Sequence, residues 1–504
     1  MALSVPPHTR HSLQVDEEVG LAVDRLNSMG EGVGRKEGAA VFTPGVLPGE
    51  QVTARIVKSA RDFARAVAIR LESRSLDRVE PRCPLHLSPR ADGLFEDSRH
   101  CGGCQLQSLQ RAEQLEFKRG VVHDCLTRIG GLEVEVLPTA GGHAWGYRNK
   151  MAFSLATKNK RLAWGLRALE AGDEAVPLES CDIARPELWK AAGRVLECLN
   201  RDFGPTLAWD GREGLIRGVT LRSHTGRPGL DRTPHDRADP SPCIVALFAL
   251  ASQDAETALG IVRSLEALSV VRPFFCFSDP RASAVYYDRA RFLNMAPGRN
   301  AFWGEAQLRE ERCAWHTTGE WSTLVGPTSF LQVNDEMAEH LYRRVLELPF
   351  GSGGFAVDAY CGVGILTRAL AGRFERVVGI EVDPQSIKLA RTTARRLADC
   401  RVEWIAEPAE AVFGRSSGSD SRTRIGRPDL VILDPPRKGC QPEVLRALLD
   451  LLPVDVVYIS CHPAALARDL KVLCRKSYGV ATVEPFDLFP QTHHVETLVH
   501  LKRK

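Results

Sequence analysis

Five runs rich in valine and isoleucine, all in the last third of the chain, constrain its fold more than any other feature. They alternate with segments of helical periodicity, and strands that alternate with helices form a doubly wound sheet, parallel in the main. The sequence therefore predicts an α/β, Rossmann-like domain over residues 319–504. The runs are FAVDAY at 355–360, RVVGIEV at 376–382, DLVILDPP at 429–436, VDVVYIS at 454–460 and ETLVHL at 496–501.

The length of 504 residues is enough for about three domains. Residues 1–75 predict a small β-barrel, because short alternating segments such as EQVTARIV are separated by glycine and proline signals. Small barrels often bind oligonucleotides on one face, although a generic barrel with a solvated basic edge fits equally well. Residues 76–318 form a less regular α+β region. The basic residues of the last two barrel strands are Arg55, Lys58, Arg61, Arg65 and Arg70.

Composition indicates a cytoplasmic protein that does not enter a membrane. The longest apolar stretch, CIVALFALA at 243–251, is too short to span a bilayer, and no secretory signal is evident at the start. The net charge of +3 decides little about partners. Fourteen cysteines in a reducing compartment favour free thiols over disulfides. We expect the protein to be a monomer.

A glycine-containing loop after the first of the five runs predicts a nucleoside site. Gly362 and Gly364 follow that strand, and Glu381 ends the next one, where a carboxylate can accept both ribose hydroxyls. The third glycine of a dinucleotide motif is missing, which favours S-adenosyl-L-methionine over a dinucleotide; a tight turn without a ligand is the alternative. Gln332 is expected at the mouth of the same crevice, just before Asn334, which fits a helix N-cap.

Three more residues at strand ends predict a specific chemistry. Asp434 is held by two prolines at the end of its strand, Cys461 ends the next strand before a helix, and Glu496 begins the last strand. The helix N-terminus is expected to favour the thiolate of Cys461. A thiolate that adds to carbon 6 of uracil activates carbon 5 toward a sulfonium methyl, and a carboxylate base then removes the carbon 5 proton. Taken singly, Cys461 fits a small buried residue and Glu496 a surface carboxylate.

At this point the chain resembles the RNA uracil-5-methyltransferases, in the branch with a TRAM domain and an iron–sulfur cluster. GEGVGRKEGAAVFTPGVLPGE, SFLQVN, DAYCGVGILT, DPPRKG, VVYISCHP and FDLFPQTHHVE follow in the family's order over nearly the whole length. The resemblance implies a class I methyltransferase domain after a TRAM barrel of the OB-like kind. It implies Cys461 as nucleophile and Glu496 as base. It also implies an S-adenosyl-L-methionine site lined by Gln332, Tyr360, Glu381 and Asp434, with Asp434 also touching the uracil.

Two residues next to the nucleophile depart from the family pattern. The family usually has Ser-Cys-Asn-Pro with a threonine shortly after, whereas this chain has His462 for the asparagine and Ala465 for the threonine. We expect His462 to replace the amide as a hydrogen-bond donor; the alternative is that it weakens catalysis.

Four cysteines resemble the family's cluster ligands. Cys101 and Cys104 form a CxxC pair, and Cys83 and Cys181 stand singly, a set that the resemblance assigns to a [4Fe–4S] cluster. Zinc and unliganded core cysteines remain alternatives. Seventeen residues separate Cys83 from Cys101, where the family usually has about five; an excursion of this kind costs little in loop closure.

The expected partner is structured RNA. Tyr147 and Arg148 offer a stacking face and a phosphate contact, although a core tyrosine beside a solvated arginine is equally compatible. The resemblance favours 23S ribosomal RNA, with transfer RNA as the less favoured substrate. Two other classes stay open. One is an RNA-binding protein of the same scaffold that has lost turnover, and the other is an exocyclic amine methyltransferase, which needs no nucleophilic cysteine.

Overall fold

The computed structural model describes residues 13–96, 98–169, 175–226, 243–281, 292–294, 302–304, 313–351, 353–397, 401–416 and 425–504. Its helices are α1 Arg111–Cys125, α2 Pro186–Asp202, α3 Ala255–Leu265, α4 Asp335–Glu347, α5 Ile365–Leu370, α6 Pro384–Arg396, α7 Ala409–Ser416, α8 Pro442–Leu451 and α9 Pro463–Cys474. Its strands are β1 Glu18–Leu26, β2 Gly32–Lys36, β3 Ala39–Thr43, β4 Gln51–Ser59, β5 Phe63–Ser73, β6 Lys150–Lys158, β7 Arg161–Arg167, β8 Ala175–Pro177, β9 Ile216–His224, β10 Cys243–Leu250, β11 Val271–Phe277, β12 Phe292–Asn294, β13 Phe302–Gly304, β14 Ala314–Thr318, β15 Trp321–Val325, β16 Phe355–Ala359, β17 Arg376–Ile380, β18 Val402–Ile405, β19 Leu430–Leu433, β20 Asp455–Ser460, β21 Tyr478–Phe486 and β22 Glu496–Arg503.

The first five strands close into a barrel in the order β1-β2-β3-β5-β4, which confirms the predicted barrel. Alternation explains why these segments form it: Val19, Leu21 and Val23 of β1 point inward, and the residues between them are exposed. The strand β2 was not predicted, because its glycines were taken as turn signals.

Two glycines of β2 are required by close packing. A Cβ atom on Gly34 would lie 2.5 Å from the carbonyl oxygen of Ala22, and one on Gly32 would collide with the side chain of Val46. The small cross-section of the barrel brings neighbouring backbone this close, so glycine serves in the strand itself.

The middle region is more regular than the sequence indicated. Its strands form an eight-stranded sheet in the order β13-β12-β11-β10-β9-β6-β7-β8. One face packs against α2 and α3, with Leu188 and Ile261 among the buried residues of that core. Strands far apart in sequence pair here, β6 with β9 and β9 with β10, and local patterns do not reveal such pairings.

The C-terminal sheet has seven strands in the order β18-β17-β16-β19-β20-β22-β21, parallel except for β22, which is antiparallel to both neighbours. This confirms the predicted α/β domain; β18 and β21 were missed. Both faces are covered, by one core that includes residues of α8 and α9 and another that includes residues of α4 and α5. The ligand edge is the one where the parallel strands end.

The apolar run at 243–251 is a central strand of the middle sheet, β10, whose residues after Cys243 are all buried. Among the described helices, none combines the length and the apolar character needed to cross a membrane. Residues 223–242 form a hydrophilic stretch of sequence, SHTGRPGLDRTPHDRADPSP, which the sequence predicts as a surface loop. Its first two residues are buried at the end of β9, and its residues 227–242 lie outside the described ranges.

The chain divides into two compact units. One comprises Met1–Lys118, Arg167–Val176 and Gln491–His494, and the other comprises Arg119–Leu166, Pro177–Pro490 and Val495–Lys504. The division of the sequence at 75 and 318 into three domains stays a prediction.

Candidate active site

Three residues with predicted chemical roles come from neighbouring strand ends in the second compact unit. Asp434 follows β19, Cys461 follows β20, and Glu496 is the first residue of β22. Since β22 runs antiparallel to β20, with Ser460 opposite Thr497, the start of β22 lies at the same edge as the ends of β19 and β20. The side chains are within electrostatic reach, because both carboxylates act on the Cys461 thiol. The tertiary structure thus brings together three residues separated by 27 and 35 positions (434 to 461 and 461 to 496).

The Cys461 thiol is held in its neutral form. Burial, followed by the charges of Glu496 and Asp434, raises its pKa to about 12, and Arg437 opposes this shift only in part. The expectation that the helix N-terminus favours a thiolate is therefore wrong for the structure without substrate. Desolvation and two carboxylates outweigh the end of one helix.

Glu496 is almost fully buried, with 2% of its surface exposed. Its Oε1 atom has no hydrogen-bond partner among the described residues. Burial and the nearby Asp434 raise the pKa of Glu496 well above its ordinary value, and burial together with Asp358 and Glu381 raises the pKa of Asp434 to about 7. A buried carboxylate with an unused oxygen is suited to accept a proton at that atom.

The glycine loop after β16 leaves room for a ligand. A Cβ atom on Gly362 would have nothing within 4 Å, and its N–H donates to Glu381 Oε2 at 3.1 Å. The second carboxylate oxygen of Glu381 accepts from the N–H of Asp383 at 2.9 Å, so the side chain is fixed at the end of β17. Tyr360 begins the loop with a φ of 65°, an uncommon conformation for a bulky residue, and is half-buried. An open backbone next to a fixed carboxylate fits the ribose of a nucleoside.

Gln332 lies buried in the loop before α4, whose N-terminus Asn334 caps as predicted, by accepting from the N–H of Met337 at 3.3 Å. The loop is held through Asn149, which donates from Nδ2 to the Gln332 carbonyl at 3.1 Å and to Asp335 Oδ1 at 2.7 Å. His316 hydrogen-bonds the same Oδ1 atom at 3.0 Å. Asn149 belongs to the segment that the sequence singled out for RNA, yet the contacts of its side chain support the loop of Gln332.

His462 caps α9. Its Nδ1 atom accepts from the N–H of Ala465 at 3.2 Å, which requires the neutral imidazole with its proton on Nε2. Asparagine at an N-cap accepts the same kind of bond, so the departure from the family pattern preserves this contact. His462 acts here as an acceptor, whereas we expected a donor.

Two carboxylates of this region were not predicted. Asp358 is buried on β16, where it accepts from Thr367 Oγ1 at 2.5 Å, and burial raises its pKa to about 7. Asp469 on α9 is fully buried and accepts from the N–H of Cys440 at 2.8 Å and from Tyr458 Oη at 2.7 Å. Asp469 thereby ties the end of the DPPRKG loop to the helix that follows the nucleophile. A carboxylate in an otherwise apolar helix face was the only signal for it.

The segment predicted to contact RNA is partly corrected. Tyr147 is buried, and its hydroxyl donates to the carbonyl of Pro490 at 3.0 Å, so it offers no stacking face. Arg148 is half-buried. Lys150 lies opposite Arg222 in the sheet, and its pKa is lowered to about 8 by burial and by the charges of Arg222 and Arg148. Arg222 is buried, donates to the carbonyl of Ser329 at 2.9 Å and faces Asp335, whereas Arg148 and Lys150 are only partly buried.

The four cysteines predicted to hold a cluster fall in both compact units: Cys83, Cys101 and Cys104 in the first, and Cys181 in the second. Burial raises the pKa of the Cys101 thiol, and the nearby Cys83 adds to this shift, so these two thiols are close. Within the described ranges, no three histidine, cysteine or acidic side chains are placed so that they could hold a metal ion. The residues as placed therefore do not complete a metal site.

Two protein-family models match the chain. One, described as the TRAM domain, matches residues 13–69, and the other, described as tRNA (uracil-5-)-methyltransferase, matches residues 325–504. An uncharacterized RNA methyltransferase of Halalkalibacterium halodurans is 31% identical over 495 residues, covering 97% of this chain and 98% of the relative. One of Listeria monocytogenes is 30% identical over 495 residues, covering 97% and 99%.

A solved structure has the same fold. The tRNA (uracil-54, C5)-methyltransferase of Pyrococcus abyssi, in complex with S-adenosyl-L-homocysteine, superposes with a TM-score of 0.67. It is 24% identical and covers 96% of this chain and 100% of its own. At this identity the likeness establishes the fold alone.

Proposed function

Since this chain belongs to the RNA methyltransferase family of those relatives, as an S-adenosyl-L-methionine-dependent RNA uracil-5-methyltransferase with a TRAM domain, we propose that it forms 5-methyluridine in 23S ribosomal RNA. In this proposal it works as a cytoplasmic monomer, through a covalent bond between Cys461 and carbon 6 of the uracil. The observation that carries the proposal is that Cys461, Glu496 and Asp434 meet at one edge of the C-terminal sheet, within electrostatic reach of one another.

Each of these residues has a defined task in the reaction. The Cys461 thiol gives up its proton to Asp434 as Sγ attacks carbon 6, which makes carbon 5 nucleophilic and leaves Glu496 free to act as the base. Glu496, through its unpaired Oε1, takes the proton from carbon 5 after that carbon has been methylated. The electrons of that bond re-form the ring double bond and expel Cys461 as a thiolate, which takes its proton back from Asp434.

S-adenosyl-L-methionine supplies an electrophilic methyl group on a positively charged sulfur. In the proposal Glu381 binds the ribose, Gln332 and Tyr360 line the site, and Asp434 faces both the donor and the uracil. The open backbone at Gly362 and the buried, unpaired carboxylate oxygen of Glu496 support this fit, because a cation is favoured where carboxylates lack counter-charges.

The RNA substrate is supported by charges in both compact units. In the barrel, Lys58, Arg61 and Arg70 are exposed on or between β4 and β5. In the second unit, Lys150 forms no ion pair among the described residues and lies beside Arg148 and Arg222. Cations of this kind bind phosphates. A uridine in folded RNA must also leave its stack to reach Cys461.

Transfer RNA is the second candidate substrate, because the family model that matches residues 325–504 bears that name. Mapping 5-methyluridine in ribosomal and transfer RNA, from cells with and without the gene, separates the two. Loss of the modification from 23S RNA alone supports our proposal, and loss from transfer RNA alone contradicts it.

The four-cysteine [4Fe–4S] cluster is part of the proposal but takes no part in the reaction. Its support is the thiolate donor set and the closeness of Cys83 and Cys101. Anaerobically purified protein should contain four irons per chain and absorb visible light near 400 nm, and Cys104→Ser should lose both signals. Colourless, iron-free protein under these conditions would contradict the cluster.

The covalent step is tested with RNA that carries 5-fluorouridine at the target position. Fluorine on carbon 5 cannot be removed as a proton, so the adduct with Cys461 accumulates after methylation and withstands a denaturing gel. Cys461→Ala should abolish the adduct. Cys474→Ala, at the opposite end of α9, is the matched control and should retain it. An RNA-binding protein without turnover and an exocyclic amine methyltransferase would both give no adduct.

A further inference from the structure

Four carboxylates converge at the ligand edge of the C-terminal sheet. They are Asp358 on β16, Glu381 after β17, Asp434 after β19 and Glu496 on β22. Asp358 and Glu381 act electrostatically on Asp434, and Asp434 acts on Glu496. The four thus form one group, which we name the acidic cluster.

The acidic cluster has little to balance its charge. The other titratable groups that face it are Tyr342 on α4, Cys361 after β16, Cys461 after β20 and Arg437 in the loop after β19. Cys361 is neutral, because burial, followed by the charges of Asp358 and Glu381, raises its pKa well above the ordinary value. Tyr342 and Cys461 are neutral, because burial and these carboxylates raise both pKa values. Arg437 is exposed. Its charge acts on Cys461, where it opposes the two carboxylates only in part.

Two members of the cluster accept hydrogen bonds, and a third, Glu496, has a buried oxygen without one. Asp358 accepts a hydroxyl bond from Thr367, and Glu381 accepts two backbone N–H bonds. Glu496 keeps one buried oxygen without a partner. A buried carboxylate without partners lowers its free energy by binding a proton. The pKa values of Asp434 and Glu496 are raised accordingly, by burial first and then by neighbouring carboxylates.

We infer that Asp434 and Glu496 hold a proton between them while no methyl donor is bound, and that this proton leaves to solvent when the cationic sulfonium enters. The inference rests on the proposed function, because it requires the donor's sulfur to lie in the pocket of Cys461 and Glu496. The positive charge of the sulfonium stabilises the two carboxylates, as the bound proton does when no donor is present.

On this basis, the protons bound and released over one turnover balance. The donor arrives with one positive charge and displaces one proton. Methyl transfer leaves a neutral thioether, and the proton lost from carbon 5 of the uracil binds Glu496. The proton that Cys461 passes to Asp434 on attack returns to the thiol when Cys461 is expelled, so it does not enter the net count. The pair is then protonated again, as it was before the donor bound. The overall reaction releases one proton per methyl group, and that proton is the one displaced by the next donor.

The same balance gives selectivity for donor over product. S-adenosyl-L-homocysteine is uncharged at sulfur, so it binds the protonated pair without displacing a proton. Raising the pH removes the proton in advance and strengthens binding of the donor alone. Product inhibition should therefore weaken as the pH rises toward about 7, where Asp434 titrates.

Calorimetry on the intact chain tests this directly. The heat of binding is measured for S-adenosyl-L-methionine and for S-adenosyl-L-homocysteine at pH 6.5, in two buffers with different ionisation enthalpies. We expect release of about one proton with the donor and close to none with the product. Between pH 5.5 and 6.5, the Kd of the donor should fall by about tenfold, while that of the product changes by less than about twofold.

Variants test whether the released proton comes from Asp434 and Glu496. Glu496→Gln and Asp434→Asn each remove one member of the pair and should reduce the proton release with the donor. Glu443→Gln is the matched control, since Glu443 is a carboxylate of α8 in an exposed ion pair with Arg446, and it should change nothing. If one of these two variants fails to fold, the proton release measured for donor and for product on the unaltered chain still tests the inference.

The outcomes separate this inference from the function on which it rests. Equal proton release for donor and product, together with an intact 5-fluorouridine adduct, overturns the inference and leaves the function standing. Absence of both ligand binding and adduct overturns the two together.

Discussion

Replacing His462 tests how this chain compensates for the missing asparagine next to its nucleophile. His462 Nδ1 accepts the N–H of Ala465 at 3.2 Å, one of the backbone donors that a helix leaves unsatisfied at its N-terminus. Removing an N-cap side chain costs about 1 kcal/mol, and asparagine is among the best caps. His462→Ala should therefore lose this amount, while His462→Asn should lose almost nothing.

The lost free energy should affect the start of α9, because this segment follows Cys461 directly and positions it. About 1 kcal/mol corresponds to roughly a fivefold change in an equilibrium. If it falls on the ordered start of α9, adduct formation with 5-fluorouridine RNA should slow by up to about fivefold in His462→Ala. Hydrogen exchange of the first-turn amides of α9 should quicken by a similar factor. Both rates are measured for the alanine and asparagine variants against the unaltered chain.

Two results would refute the reasoning. If His462→Asn slows the adduct as much as His462→Ala does, the imidazole contributes something other than a cap. If His462→Asn speeds the adduct more than about tenfold, the histidine impairs catalysis, which is the alternative that the sequence left open.

Three further predictions follow from burial and charge. Since the pKa of Cys461 is raised to about 12, its alkylation by iodoacetamide should be slow at pH 8 and rise about tenfold per pH unit up to pH 11. Glu496→Gln removes a facing carboxylate and should speed the alkylation at fixed pH. An alkylation rate that does not depend on pH would contradict this. With ordinary uridine RNA, Glu496→Gln should accumulate a methylated covalent complex on a denaturing gel, because proton removal from carbon 5 then lacks its base; normal turnover would assign the base elsewhere. In the barrel unit, Arg78→Met should lower the free energy of unfolding, measured by proteolysis, by about 3–5 kcal/mol, because it leaves the fully buried Glu50 without its ion-pair partner at 2.6 Å. Glu50→Leu combined with Arg78→Met should cost much less. Equal losses would show that the charge left unpaired is not the cause.

The sequence predicted much of the fold because its strongest signals are local. Runs such as RVVGIEV and DLVILDPP identify buried parallel strands by composition alone. The barrel was recognisable from alternation between glycine and proline signals, except for β2. The middle sheet was not recognisable, because β6 pairs with β9 across more than fifty residues and no local period encodes such a pairing.

The candidate site was assembled from sequence for a geometric reason. In a doubly wound sheet the polar residues that follow parallel strands meet at one edge, so Glu381, Asp434 and Cys461 could be placed near one another before any coordinates. Glu496 joined them through its position at the start of the last strand. Asp358 begins the DAYCGVGILT motif, but the sequence did not predict a role for it, because a residue within a strand is ordinarily a core residue.

What the sequence by itself determined is the set of groups and the edge where they collect. Only the tertiary structure decided their protonation, because burial depends on everything packed around a side chain. It buried Cys461 and placed two carboxylates beside it, which together raise the pKa of the thiol and keep it neutral. It also buried Tyr147, for which the sequence had left a core position and an exposed stacking ring equally open. Chain order specifies which groups meet, and the removal of water, which no local pattern records, sets the charge that each one carries.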